Sequence, residues 1–219
     1  MHGVLSEGRL SAEENLTRDE RLLAAGVPAG RVATLEGPVL TLGVAQPPAT
    51  PAATRARSLG IPVVPRRSGG TGLLHQPGDI VWSVILPRRD PRVGRNYARS
   101  FDRLGVGAVD SLAGVGIVAQ WSPALGLSPE YCLLAPRGQV LTVDGRAIGG
   151  AAQHVTARAL LHHGTINVRV DRAGLAALFD LDFETAEKSV TSVTELRPTV
   201  DLERLATELA RHLGEWLVG

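Results

Sequence analysis

Short runs of β-branched and aliphatic residues recur between Val32 and Val170, and segments of helical periodicity fall among them at irregular intervals. That irregularity constrains the fold most. Regular βαβ winding needs strand and helix to alternate one for one, so the pattern favours an α+β architecture, a sheet with helices packed on it. Ile80 to Leu86 (IVWSVIL) is the most strand-like run, and Val32 to Ala45 reads as two strands around a turn at Glu36-Gly37-Pro38. Ile61 to Val64 reads as a buried strand leading into a glycine-rich loop. Gly105 to Ala119, Tyr131 to Leu134, Val140 to Val143, Ile148 to Ala152 and Thr165 to Val170 read as further short strands. Helices are expected from Ala12 to Ala25, where Ser11 and Glu14 form a capping-box pattern, and in a short stretch from the Pro47–Pro51 segment to Gly60. Others are expected from Arg95 to Leu104, Ala173 to Phe179 and Leu202 to Val218, the last capped by Asp201.

No internal repeat or low-complexity linker divides the 219 residues, so a single domain spanning 1–219 is expected, with its core at about 11–215. The formal net charge of +1 supplies no field that would draw in nucleic acid or an acidic membrane. The one cysteine, Cys132, rules out an intramolecular disulfide and a cysteine-rich metal site and fits a reducing compartment. The N-terminal stretch MHGVLSEGRLSAEEN has no apolar core behind basic residues, and no apolar run approaches the ~18 residues of a membrane span. A cytoplasmic protein is expected. Of the 23 basic residues, 22 are arginine and one, Lys188, is lysine.

Three segments stand out for chemistry. RRSGGTGLLHQPGD, from Arg66 to Asp79, sets two arginines before Gly69, Gly70 and Gly72 and then His75, a loop whose backbone can approach a ligand closely and offer it N–H groups. It lacks the Lys-Ser/Thr end of a Walker loop and the spacing of the dinucleotide fingerprint. VDGRAIGGAAQ, from Val143 to Gln153, reads as a hairpin at Asp144-Gly145 followed by a strand that another backbone crosses closely. LLHHGTINV, from Leu160 to Val168, puts two histidines side by side. On a strand His162 and His163 point to opposite faces, so they cannot both ligate one metal, and no metal site is expected.

In this order the three segments resemble the lipoate-protein ligase and octanoyltransferase family, relatives of biotin-protein ligase. RRSGGTGLLH is similar to that family's Arg-Arg-x-Ser-Gly-Gly-Gly loop ending in His, VDGRAIGGAAQ to its Gly-Arg-Lys-Ile strand, and LLHHGTINV to its His-His-Gly-Thr strand. EENLTRDERLL resembles the family's first helix and VLTLGVAQ an early strand, so the resemblance covers about residues 11–215. It implies a class II synthetase or biotin-ligase type of fold, a mixed and mostly antiparallel sheet flanked by helices. It also implies a tunnel for an eight-carbon acyl chain. Burying about seven methylenes at ~0.8 kcal/mol each contributes on the order of 5 kcal/mol, which alone gives roughly 10⁻⁴ M binding.

Two reactions occur in such a family. Ligases activate lipoate with ATP, using the lysine of the Gly-Arg-Lys-Ile strand; transferases move an octanoyl or lipoyl group from a carrier protein through a cysteine thioester. YCLLAPRG around Cys132 resembles the Cys-Phe-Asp-Ala-Pro segment of the cysteine octanoyltransferases with ligase-like sequence. The resemblance implies acyl transfer through Cys132 to a lipoyl-domain lysine, with His75 as general base. Arg66, Arg67, Ser68, Gly69, Gly70, Thr71, Gly72, Ala147, Ile148, Gly149, Gly150, Ala151, His163 and Gly164 would line the substrate site. It implies an acyl carrier protein as donor, a lipoyl domain or glycine-cleavage H-type protein as acceptor, and no tightly bound cofactor. Lipoate or octanoate is the substrate, and ATP and Mg²⁺ enter only in a ligase. The sequence departs from the family at Ala147, where lysine is expected, at Thr71 for a glycine and at Gln76 for an aspartate. A methyl group cannot donate to an acyl oxygen, so a non-catalytic acyl-binding relative and an ATP-dependent ligase are the alternatives.

Overall fold

The computed structural model describes residues 4–93 and 97–218. The chain begins with strand β1 (Val4–Leu10), helix α1 (Ala12–Ala25), β2 (Ala29–Leu35), β3 (Val39–Leu42) and α2 (Pro51–Ser58). It continues through β4 (Val63–Pro65), β5 (Leu73–His75), β6 (Ile80–Pro87), α3 (Tyr97–Gly114), β7 (Gln120–Pro123), β8 (Gln139–Val143), β9 (Arg146–Val155) and β10 (Ala159–Ile166). Helices α4 (Arg172–Phe179), α5 (Phe183–Ser189), α6 (Val193–Leu196) and α7 (Leu202–Val218) complete it. Among the described residues these form a seven-stranded sheet in the order β1-β2-β6-β10-β9-β8-β7 and a three-stranded sheet in the order β4-β3-β5. The large sheet is antiparallel except for β1 on β2, and in the small one β4 runs parallel to β3. This is the mixed, mostly antiparallel α+β fold that the strand pattern implied.

Strand alternation divides the sheet into two faces. Val32, Trp82, Val84 and Ile166 point to the side covered by α3 and α7, where Leu112, Leu205 and Leu209 close the main core. Ala33, Val81, Ser83, His163 and Thr165 point to the other side, under α1 and the small sheet. Helix α1 starts where Ser11 predicts. The Ser11 hydroxyl accepts from the Glu14 N–H and the Glu14 carboxylate accepts from the Ser11 N–H, a complete capping box.

Four readings of the sequence change. Gly105 to Ala119 is not a strand: α3 runs on through it to Gly114, and the expected helix start at Arg95 lies outside the described residues. Tertiary packing overrides the poor helix propensity of its glycines. Trp121 lies directly against the α-carbon of Gly105 and donates its indole N–H to the Gly105 carbonyl at 3.0 Å, an approach that any Cβ would block. Tyr131 to Leu134 is a 3₁₀ turn over Cys132–Leu134 rather than a strand. Of the last expected strand, Thr165 to Val170, only Thr165 and Ile166 are strand, the end of β10, which begins at Ala159. β2 and β3 do flank Glu36-Gly37-Pro38, but they join different sheets and do not pair.

Candidate active site

The glycine-rich segment folds around one side chain. Arg66 follows β4, is 6% exposed, and turns its guanidinium back into its own loop. Its Nη2 donates to the carbonyls of Gly69 (2.9 Å) and Thr71 (2.8 Å), and its Nη1 donates to the carbonyl (3.0 Å) and Oγ1 (3.2 Å) of Thr41 on β3. A rigid fork of donors is what such a curl needs, and lysine has no equivalent. Nη2 also lies 3.9 Å from Cys132 Sγ. Burial presses the Arg66 guanidinium below its ordinary pKa, and the neighbouring sulfur acts in the opposite direction.

Gly70 makes this approach possible. Its φ is +92°, and a Cβ built on it would lie 2.7 Å from Arg66 Nη2 and 2.8 Å from Cys132 Sγ. On the loop's outer side Gly43, just after β3, lies so close to the Gly70 carbonyl that any side chain there would collide with it. Gly72 closes the loop, accepting from the Cys132 N–H at 2.7 Å and donating to the Glu130 carbonyl at 2.9 Å. Glu130 in turn holds the N-terminus of α2, accepting from the Ala52 N–H and from Arg55. Among the described residues, the N–H groups of Gly69 and Gly70 have no acceptor.

Beside this loop lies a cavity of about 660 Å³, open mouth included. Cys132, Arg66 and His75 face it, and so do apolar side chains such as Leu16, Leu35, Val81 and Leu133. Gly150, Ala151, His163 and Gly164 of β9 and β10 also line it. Gly150 leaves room for Leu133, whose methyl would lie 2.8 Å from a Cβ at that position. His75 is buried. Its Nε2 meets Thr41 Oγ1 at 3.1 Å, and burial together with the Arg66 charge pushes its pKa down to about 3. It is therefore neutral at pH 7, and its Nδ1 has no partner among the described residues.

The other expected site residues fall into two groups. Ser68 is fully buried with its hydroxyl 2.6 Å from His163 Nε2, and His162 points to the opposite face against Trp82 and Phe101. Arg67 turns outward, 65% exposed, and pairs with Glu20 away from the cavity. Gly149 and Ile148 contribute backbone to the sheet: Gly149 pairs with Leu141 and Ile166, and the Ile148 carbonyl accepts from Asn167. Ala147 is fully buried in the apolar cluster with Val140, Ala186 and Val190, and it is not among the cavity-lining residues. Ala147 and Ile148 point to opposite faces of β9 and fall into different core clusters, and a register shift between Leu141 and Thr142 leaves Ile148 unpaired on that side. Arg146 points elsewhere, paired at 2.6 Å with Glu195.

The Lipoyl protein ligase A/B catalytic domain model matches residues 11–214. The chain belongs to that family. It is 31% identical over 170 residues to the octanoyltransferase LipM of Carboxydothermus hydrogenoformans, across 74% of this chain and 62% of that protein. It is 32% identical over 144 residues to the LipM of Exiguobacterium sp., across 62% and 52%. The chain thus spans about half to three fifths of the length of these curated relatives. Among solved structures, a lipoate-protein ligase A bound with ATP superposes with a TM-score of 0.79 at 21% identity, over 100% of this chain and 86% of that one. A biotin protein ligase from Aquifex aeolicus gives 0.52 at 13%, over 100% and 71%. Both share the fold described above.

Sequence reasoning missed the apolar lining residues Leu16, Leu35, Val81 and Leu133 and, among polar ones, Thr41, which holds Arg66 and His75 together, and Asn15 and Asp19 of α1, which meet the sheet near His163. For Asp19 a signal existed. Ala12, Leu16, Asp19 and Leu23 share one helical face, so an acid interrupts the apolar stripe.

Proposed function

We propose that the chain transfers an octanoyl or lipoyl group from a carrier-protein thioester to a lipoyl-domain lysine through an acyl thioester on Cys132. One observation carries this reading: the only cysteine of the chain faces an apolar cavity with a buried guanidinium 3.9 Å from its sulfur. The Cys132 sulfur attacks the donor's thioester carbonyl, the carrier thiol leaves, and the acyl tail lies among Leu16, Leu35, Val81 and Leu133. The N–H groups of Gly69 and Gly70, without acceptors among the described residues and in the loop whose Gly70 adjoins the sulfur, are the candidate donors to the developing oxyanion. A base of pKa about 3 has little affinity for a proton at neutral pH, so His75 serves better as a neutral hydrogen-bond donor through Nδ1. Arg66 supplies the positive charge that the family's lysine supplies elsewhere. The acceptor assignment rests on the LipM relatives and on a related fold, an archaeal lipoate protein ligase solved as part of a lipoylation system with its E2 lipoyl domain.

Activation by ATP finds little support in these residues. The position that would present an ammonium to a phosphate holds the buried methyl of Ala147, and Arg66 is committed to four loop and strand acceptors. The same alanine favours the second reading, an acyl-binding relative without turnover. Octanoylation of a lipoyl domain, followed by mass spectrometry with octanoyl-carrier protein as donor, separates the two: transfer by the native protein and none by Cys132→Ser supports the transferase. Acyl binding without transfer by the native protein supports the binding relative.

A further inference from the structure

The mechanism above leaves the acceptor amine without a base. When a lysine amine attacks a thioester, the nitrogen must shed a proton as the C–N bond forms, and neither Arg66 nor neutral, deeply buried His75 is suited to take it.

The structure contains an arrangement suited to that step. Arg31, Ser83 and His163 lie in one cross-strand row, Arg31 opposite Ser83 on β6 and Ser83 opposite His163 on β10, all facing α1. Asp19 of α1 drops onto this row, 1% exposed. Its Oδ1 accepts from Ser83 Oγ at 2.8 Å and pairs with Arg31, which also holds Glu7 and Asn15. Its Oδ2 has no hydrogen-bond partner among the described residues and lies 3.4 Å from His163 Nδ1. The opposite ring nitrogen, Nε2, is 2.6 Å from Ser68 Oγ. An imidazole with a carboxylate 3.4 Å from one nitrogen and a hydroxyl bonded to the other resembles the arrangement that lets a histidine take up a proton. Ser68 stands two residues before Gly70, whose α-carbon adjoins Cys132 Sγ, and His163 lines the cavity that Cys132 faces.

We propose that His163, flanked by Ser68 on one ring nitrogen and Asp19 on the other, takes the proton from the acceptor amine in the second half-reaction; this rests on the Cys132 thioester reading. The amine enters unprotonated, its nitrogen attacks the thioester carbonyl, and the C–N bond forms. Its excess proton passes to His163, which lines the cavity, at the Nε2 that Ser68 Oγ holds, and the resulting imidazolium faces Asp19. The C–S bond breaks, and the Cys132 thiolate leaves beside Arg66. The proton on His163 then returns to solvent. Arg31, Ser83 and Glu7 act as positioning residues: they fix the carboxylate, which fixes the ring.

The two half-reactions give the test. Native protein, His163→Gln, Ser68→Ala and the double variant are loaded with octanoyl-carrier protein and the acyl-Cys132 adduct is followed by intact mass. The adduct is then discharged either with a lipoyl domain or with hydroxylamine, a small nucleophile that can shed its proton to water without help from a side chain. The relay predicts that discharge to the lipoyl domain slows by on the order of 10²-fold more than loading does, while discharge to hydroxylamine slows no more than loading. The double variant is expected to lose no more than His163→Gln alone, because the residues act as a unit. Native-like discharge to the lipoyl domain by His163→Gln overturns the relay, as does equal slowing of loading and both discharges, which marks a purely structural role. Absence of any adduct on the native protein overturns the Cys132 reading itself, so the two failures are distinguishable.

Discussion

At the scale of single residues, the site turns on which cation is near the sulfur. Arg66 reaches Cys132 only because its fork is spent on the loop's own carbonyls, so charge and loop shape come from one side chain. Arg66→Gln is expected to lower kcat/KM for octanoyl transfer by roughly 10²–10³-fold, with a lower melting temperature. Arg66→Lys, which keeps the charge without the fork, should recover part of the activity and little of the stability; steady-state kinetics and thermal melts check both. The family's lysine position gives the converse prediction. Ala147 is fully buried against Val140, Ala186 and Val190. Ala147→Lys should therefore cost about 1–3 kcal/mol of overpacking, more if the ammonium stays buried, and leave the transfer rate no higher. Urea titration and a transfer assay read the two outcomes. Cys132, Arg66 and the glycines of the loop were legible in the sequence because their motifs are contiguous. Thr41 and Asp19 were not, because each reaches the site from a separate element and is recognisable only as a polar residue on an otherwise apolar face.

At the scale of elements, the site is where a curled loop from the small sheet meets the α1 face of the large one. β6 was legible as an uninterrupted apolar run because both its faces are buried, the proline run marked α2, and periodicity located α1, α4 and α7 nearly to the residue, since each buries one face. It failed for α3, whose glycines suit helix packing against Trp121, and for the turn at Cys132, which is held by Gly72 and not by ladder pairing. Sheet membership of β2 and β3 was also hidden, because a turn and a change of sheet look alike in sequence. The meeting of loop and strand depends on Gly43. Gly43→Ala would drive its methyl into the Gly70 carbonyl and displace the loop from Cys132. Loss of transfer with the far-ultraviolet circular dichroism retained is the expected result, since neither residue lies within a helix or strand.

At the scale of the whole molecule, buried titratable groups set the response to acid. His75 and His162 are both pushed down to about 3 by burial, whereas unfolded histidine titrates near 6.5. Each contributes stability that is present above pH ~6.5 and is lost as pH falls from there toward 3, because the unfolded chain takes up the proton first. Asp79, buried and raised to about 7, works the other way: its contribution is present below its unfolded value near 3.8 and is lost as pH rises toward 7. Between pH 4 and 6.5 the two histidines outweigh the one aspartate by about one proton. Unfolding free energy should fall on acidification by about 1.4 kcal/mol per pH unit in that window and flatten above pH 7, as urea titrations at stepped pH would show. Whether Cys132, beside Arg66, carries the acyl group is read by peptide mapping after incubation with octanoyl-carrier protein. An octanoyl group on the Cys132 peptide, labile to hydroxylamine and chased off by a lipoyl domain, is the expected result. A protein that transfers octanoate while Cys132 remains unmodified, or one that carries the octanoyl group on another residue, would contradict it.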